Sequence, residues 1–149
     1  MRMRGLRLLL SVTLAALWII QLPSSAQDST GQLLGLINQS RLAQGLTPYA
    51  ASSALQAAAQ RHSDDMAATG NIAHTGSDGS SPAQRITEAG YAPYPSGLVA
   101  GESIFGGTTE GASAAFNFWM SVAYDRGNIL SDQYREVGIA VAYDAQGRG

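Results

Sequence analysis

The chain has 149 residues, among them nine arginines, eleven acidic residues and no lysine or cysteine, and its formal net charge is −2. The absence of lysine excludes a phosphate-loop lysine, a Schiff base and a serine–lysine dyad. The absence of cysteine means that an exported fold would be held by its core, without disulfides. The length is enough for one domain and too short for two.

The N-terminal 26 residues are typical of an export signal. Three arginines precede an apolar run over 8–22, and small residues lie before Gln27, so we expect a signal peptide over residues 1–26 and a secreted or cell-envelope protein. An uncleaved anchor is the alternative, although Gln21 interrupts the run and a spanning helix needs ~20 apolar residues. Membrane contact is otherwise expected only through the signal peptide.

Cleavage would also change the charge of the chain. It would leave six basic and eleven acidic residues, a formal charge of −5. This excess of negative charge argues against nucleic acid and anionic membrane surfaces as partners.

The remaining chain divides into a short polar linker, residues 27–31, and one domain, residues 32–149. Apolar residues at helical spacing over 33–42 predict a first helix, which a glycine ends. The serines at 52–53 predict the start of a second helix that ends before Gly70. Its apolar stripe consists of Leu55, Ala58, Ala59, His62 and Met66.

A loop and a short helix are predicted next. Residues 71–80 have loop composition. Ser81 and Pro82 then predict a helix that runs to Ala89, since serine caps helix N-termini and proline is favoured at the first helical position. The prolines and glycine in 91–97 predict an irregular surface crossing.

A third long helix is predicted to begin at Thr108 or Thr109, with Glu110 in its first turn, where the helix dipole favours negative charge. Large apolar residues alternate with small ones over 137–143, which predicts a strand against which a helix packs closely. Helices with few strands predict a mixed α and β fold. The apolar face of the third long helix would consist of Ala112, Ala115, Phe116, Trp119 and Met120.

Five short motifs in a fixed order are the most specific feature of the chain. They are HTGSDGS at 74–80, GES at 101–103, WM at 119–120, DRGNIL at 125–130 and YREVGI at 134–139. Together they resemble the CAP superfamily of cysteine-rich secretory, antigen 5 and pathogenesis-related proteins, and most of all its bacterial SCP-like branch. The resemblance implies a three-layer α–β–α sandwich with a small central antiparallel sheet.

The C-terminus departs from the family pattern. Residues 144–149 look like the turn of a hairpin, after which family members usually return with a strand rich in aromatic residues. That return strand is therefore expected to be missing and the chain to be truncated, which would leave the predicted strand at 137–143 with an unpaired edge.

The resemblance also implies a central cleft, which in the family is lined by two histidines and one or two acidic residues and in some members binds a divalent ion. The first histidine falls on His74 and the first acid on Glu102. The second histidine falls on Asp125, and the second acid falls near Ser121, which is not acidic. One imidazole with two carboxylates would favour Ca²⁺, Mg²⁺ or Mn²⁺ over Zn²⁺ relative to the family pattern.

Each of these residues has a structural alternative. His74 lies in a polar loop, where histidine is also found as a solvated side chain, and Glu102 in an apolar segment would be a carboxylate satisfied by backbone donors. Asp125 would be a turn or helix-capping residue. His62 is interpreted as a core histidine and is left outside the site.

The leading functional hypothesis is a secreted, non-catalytic binding module whose cleft accepts a small molecule, a lipid, a glycan or a peptide segment, or an envelope protein as partner. The first alternative is a metal-assisted hydrolase in which Glu102 acts as base. The second is a cell-envelope interaction protein with a vestigial cleft, in which the loop with Tyr91 and Tyr94 makes the contact.

Overall fold

The computed structural model describes residues 24–91 and 98–149. Residues 1–23, with most of the predicted signal peptide, and residues 92–97, within the predicted surface crossing, lie outside the described residues. None of the described helices is long and apolar enough to cross a membrane. The elements in chain order are α1 (Ser24–Ala43), β1 (Ala50–Ala51), α2 (Ser53–Thr69), α3 (Pro82–Glu88), α4 (Ala112–Ser121), α5 (Ala123–Ile129) and β2 (Glu136–Val137).

Helix α1 is longer than the sequence indicated. It includes residues 27–31, which were expected to form a linker and are helical in the structure. The hydroxyl of Thr30 donates a hydrogen bond to the carbonyl of Ala26 at 2.9 Å, one helical turn earlier. The helix ends as predicted before Gly45, which adopts a positive φ of 71° that glycine accommodates without strain.

Helices α2 and α3 match the predictions made from their caps. Helix α2 ends at Gly70, whose left-handed conformation lets its N–H bond the carbonyl of Met66. In α3 the hydroxyl of Ser81 accepts a hydrogen bond from the amide of Gln84 at 3.2 Å, and Pro82 is the first helical residue. The predicted stripe of α2 is also confirmed, since its buried residues are Ala58, His62 and Met66.

Helix α4 begins later than Thr108 or Thr109, at Ala112, so the predicted start is wrong. The hydroxyl of Thr108 accepts a hydrogen bond from the amide of Glu110, and its carbonyl accepts one from the amide of Gly149. These bonds place Thr108 in a turn, and Glu110 precedes the helix. Helix α5 then follows α4 after a single residue.

The two described strands pair in parallel, with Ala50 opposite Glu136 and Ala51 opposite Val137. The prediction of an antiparallel sheet is therefore wrong for this pair. All of the helices from α2 to α5 lie between the two strands in sequence, and parallel pairing requires such a crossover connection. Of the predicted strand at 137–143, only Val137 lies in β2 and pairs with β1.

The residues that follow β2 are nevertheless the middle layer of the domain. Ile139 and Val141 pack on the core side, against α1 and α4. On the opposite side, a Cβ added to Gly138 would lie 2.1 Å from the backbone carbon of Leu55 in α2. Helices therefore cover both sides of this segment, which confirms the α–β–α sandwich and the close packing of a helix on the small residues.

Candidate functional site

Glu102 is the centre of the polar cluster in the structure. Its side chain is 20% exposed and uses both carboxylate oxygens. Oε2 accepts a hydrogen bond from Nη2 of Arg85 at 2.7 Å, and Oε1 lies 2.8 Å from Nδ1 of His74. The structure therefore brings together two of the three residues expected in the site, His74 and Glu102, and adds an arginine that sequence reasoning missed.

Arg85 connects the loop that carries His74 to the segment that carries Glu102. The Ser81 cap and Pro82 fix the start of α3, which places Arg85 on the inner face of this short helix, where it is 2% exposed. Besides Glu102, its guanidinium donates to the carbonyl of Ser80 at 2.8 Å and to that of His74 at 3.1 Å. A planar group with five donors suits such a junction of carbonyls and a carboxylate.

The loop before α3 is held to α2 by Asp65. Its carboxylate accepts hydrogen bonds from the amide of Ser77 at 2.8 Å and from the hydroxyl of the same residue. These bonds stabilise the ionised form and hold the pKa of Asp65 below its usual value. Asp78 also has a pKa well below its usual range, because the hydroxyl and the amide of Ser80 and the guanidinium of Arg61 stabilise its ionised carboxylate.

His62, which sequence reasoning left outside the site, lies next to Glu102. It is 3% exposed, and its Nε2 is 4.0 Å from Oε1 of Glu102. Nε2 donates to the carbonyl of Ala73 at 2.8 Å. Among the described residues Nδ1 has no hydrogen-bond partner although it is buried. The sequence signal was present, since a polar residue occupies the apolar stripe of α2.

Asp125 is not part of this cluster. It lies in the first turn of α5 and is 7% exposed. No hydrogen bond or ion pair within the described ranges joins it to His74 or Glu102. Helix α5 instead reaches the site through Asn128, whose Nδ2 donates to the carbonyl of Glu102 at 3.3 Å and to the hydroxyl of Ser103 at 3.2 Å.

Buried polar side chains fix the end of α5 and hence the position of Asn128. Arg41, 1% exposed, donates to the carbonyls of Ile129 and Ser131, each at 2.8 Å. Its guanidinium stacks on the ring of Tyr49, and the hydroxyl of Tyr49 donates to the carbonyl of Asn128 at 2.7 Å. Burial lowers the pKa of Arg41 and raises that of Tyr49, because the charged forms lose solvation.

The described arrangement does not fit a divalent ion at the expected ligands. Within 24–91 and 98–149, no group of three or more histidine and acidic side chains is spaced to hold a metal. Both oxygens of Glu102 are engaged, one of them by the permanently charged guanidinium of Arg85, which disfavours a second cation beside it. The metal set of His74, Glu102 and Asp125 stays a prediction from the family resemblance.

A cavity of about 410 Å³ adjoins the cluster. Glu102, Arg85 and His62 supply polar groups to its wall, whereas most of the other lining side chains are apolar. The apolar lining includes Ile37, Met66, Ile86, Ile104, Trp119 and Val137. Such a combination of apolar walls with a few convergent polar groups is typical of sites that bind small molecules or peptides.

The fold and this site define an α/β sandwich domain with a histidine–glutamate–arginine cluster beside a cavity. The sequence profile of the cysteine-rich secretory protein family, CAP, matches residues 34–149. The chain belongs to the CAP family, which confirms the resemblance seen in its motifs.

Two solved structures have a similar fold. One is an extracellular protein containing an SCP domain from Bacillus anthracis, with 19% identity and a TM-score of 0.65; the match covers 78% of this chain and 38% of that one. The other is an outer surface protein from Borrelia burgdorferi, with 17% identity and a TM-score of 0.62, covering 75% and 79% of the two chains. The chain thus spans well under half of the first protein. No curated protein sequence matches it.

Proposed function

We propose that the protein is an exported, non-catalytic binding module whose cavity accepts a ligand between α2, α3 and the segment after β2. The observation that carries this proposal is the cavity of about 410 Å³ with mostly apolar walls and the Glu102 cluster at its side. The described fold resembles that of an extracellular SCP-domain protein and of an outer surface protein, which supports export. The membership in the CAP family is compatible with a binding role.

The contacts of Glu102 favour a structural role over catalysis. A general base must be free to take a proton from a bound reactant, whereas the oxygens of Glu102 bond Arg85 and His74. The carboxylate therefore organises one side of the cavity by joining α3 to the loop after α2. This arrangement gives no specific support to the metal-assisted hydrolase.

Metal titration tests the cleft directly. A metal bound at the expected ligands would require Glu102 to leave Arg85 and Asp125 to leave its buried position, so we expect calorimetry with Ca²⁺, Mg²⁺, Mn²⁺ and Zn²⁺ to show no stoichiometric binding. Binding of one ion per chain that Glu102→Gln and Asp125→Ala both abolish would contradict a metal-free cleft.

The binding role is tested with two matched variants of α2. Ala59 lines the cavity, whereas Ala57 is exposed on the other side of the same helix. The probes are palmitate, cholesterol, a chitin oligomer and an uncharged nine-residue peptide, each followed by calorimetry and by the fluorescence of Trp119 in the cavity wall. We expect at least one probe to bind, Ala59→Leu to weaken it and Ala57→Leu to leave it unchanged. Equal binding by both variants, or no binding of any probe to the wild type, would refute the role.

A further inference from the structure

Gln27 becomes the first residue of the exported chain if the signal peptide ends where the sequence predicts. The small residues Ser24, Ser25 and Ala26 precede it, which is the pattern of a cleavage site. The α-amine of an N-terminal glutamine lies within reach of the carboxamide of the same residue, and the two groups can close a five-membered lactam. Such a modification removes the charge of the terminus.

This α-amine stands alone in the sequence. None of residues 27–149 is a lysine, since the basic side chains of the chain are arginines and histidines. Arginine guanidinium groups stay protonated near neutral pH and do not react as amines do. The α-amine of Gln27 is therefore the only primary amine in residues 27–149.

The structure leaves Gln27 free to close the ring. Its side chain is exposed, and its carboxamide makes no hydrogen bond within the part of the chain that the structure describes. The first buried residue among those described in α1 is Leu33, more than one turn later. Cleavage removes the bond from the hydroxyl of Thr30 to the carbonyl of Ala26, and the core contacts of α1 begin after this point.

A lactam also suits the start of α1 better than an ammonium group does. The N-terminus of a helix carries partial positive charge, so a protonated amine is unfavourable there, whereas the lactam is neutral. The first four N–H groups of a helix have no partner within it, so the ring costs no helical hydrogen bond. The ring fixes rotation about the N–Cα bond, as the ring of Pro82 does at the start of α3.

We propose that the exported protein begins with pyroglutamate formed from Gln27. The α-nitrogen forms a bond to Cδ of its own side chain, the Cδ–Nε2 bond breaks, and Nε2 leaves as ammonia with the proton that the α-amine gives up. Nothing is oxidised or reduced, and no co-reactant is needed. The inference rests on the export that is part of the proposed function. Residues 27–149 then carry no primary amine, so aldehydes, which condense with amines to Schiff bases, have no target there.

The test uses the full chain, expressed with its own signal in a bacterial host and recovered directly from the exported fraction. Its intact mass should equal that of residues 27–149 less one ammonia, about 17 Da. An N-hydroxysuccinimide ester, which acylates primary amines, should add no label to the folded or to the urea-unfolded protein. A mass without the loss of ammonia, or one label per chain, would overturn the proposal.

Two alanine variants of α1 serve as controls. Gln27→Ala removes the carboxamide, so its exported chain should keep its ammonia and take up one label. Gln39→Ala changes another exposed glutamine of the same helix and should behave as the wild type. Loss of ammonia from Gln27→Ala would place the reaction at another residue and would refute the ring at Gln27.

The remaining outcomes separate the ring from export. An exported chain that begins at another residue would refute the proposal while export stands. Label that the fresh protein takes up and the stored protein does not would show a ring formed only after purification, and would also refute it. A chain found only inside the cell with residues 1–26 intact would refute export as well as the ring.

Discussion

Replacing Arg85 with methionine tests whether the Glu102 cluster is a structural junction. Methionine keeps much of the length of the side chain and removes its charge and donors. The substitution would leave a carboxylate that is 20% exposed without its cation. It would also leave the carbonyls of Ser80 and His74 without the bonds that Arg85 donates at 2.8 and 3.1 Å.

The expected loss of stability follows from the burial of the pair. Removing one partner of a buried ion pair costs about 3–5 kcal/mol, because a buried charge is left uncompensated. Glu102 keeps some contact with solvent, so the lower end of that range, about 3 kcal/mol, applies. With a urea m-value of about 1.5–2 kcal/mol/M for a small domain, the unfolding midpoint should fall by about 1.5–2 M. Circular dichroism in a urea series measures this shift.

Arg61 provides a matched control. It also forms ion pairs with two acidic residues, Asp78 and Glu88, but its side chain is 42% exposed. Exposed pairs contribute little to stability, so Arg61→Gln should leave the midpoint nearly unchanged. A double-mutant cycle of Arg85→Met with Glu102→Gln should then show coupling, since the two side chains are in contact. An Arg85→Met variant no less stable than Arg61→Gln, or additive effects in the cycle, would refute the junction.

Two further predictions concern packing and acid stability. Gly138→Ala should lower the free energy of unfolding by about 3 kcal/mol or more, because the added Cβ would lie 2.1 Å from the backbone of α2. Gly35→Ala in helix α1 should raise it by ~1 kcal/mol, because nothing lies within 4 Å of the added Cβ and alanine favours the helix. Shifts of the melting temperature in the same direction for both variants would contradict this prediction. Asp65→Asn should lower the melting temperature at pH 7, because the bonds from Ser77 stabilise the ionised carboxylate. The lowered pKa means that this contribution is present above the usual value near 3.8 and is lost as the pH falls through the folded pKa. The difference from wild type should therefore shrink below about pH 4, and a difference independent of pH would refute the role of the charge.

The parts of the fold that the sequence predicted are those with local causes. The Ser81 cap with Pro82, the end of α2 at Gly70 and the buried stripe of that helix each depend on residues within a few positions of one another. The predicted start of α4 was wrong because the hydroxyl of Thr108 bonds within a turn instead of capping a helix. Residues of the same type serve both purposes, and the surrounding structure decides between them.

The site was only partly predictable because its contacts are distant in sequence. His74 and Glu102 came from the family pattern, and the structure joins them across 28 positions. Arg85 and His62 carry no motif, so only the packing of α2 and α3 against the segment of Glu102 reveals them. Asp125 was predicted because it aligns with a family histidine, whereas in the structure the residue of α5 that contacts Glu102 is Asn128.

The pairing within the site fixes the position of the segment that carries Glu102. Side chains of α3 and α5 hold Glu102 from two sides, through Arg85 on its carboxylate and Asn128 on its carbonyl. Trp119 of α4 holds the carbonyl of Ile104 in the same way. These bonds come from side chains of α3, α4 and α5, so the position of the Glu102 carboxylate depends on how all three helices pack on its segment. Local sequence patterns do not record such packing, which is why the family pattern supplied Glu102 and not its partners.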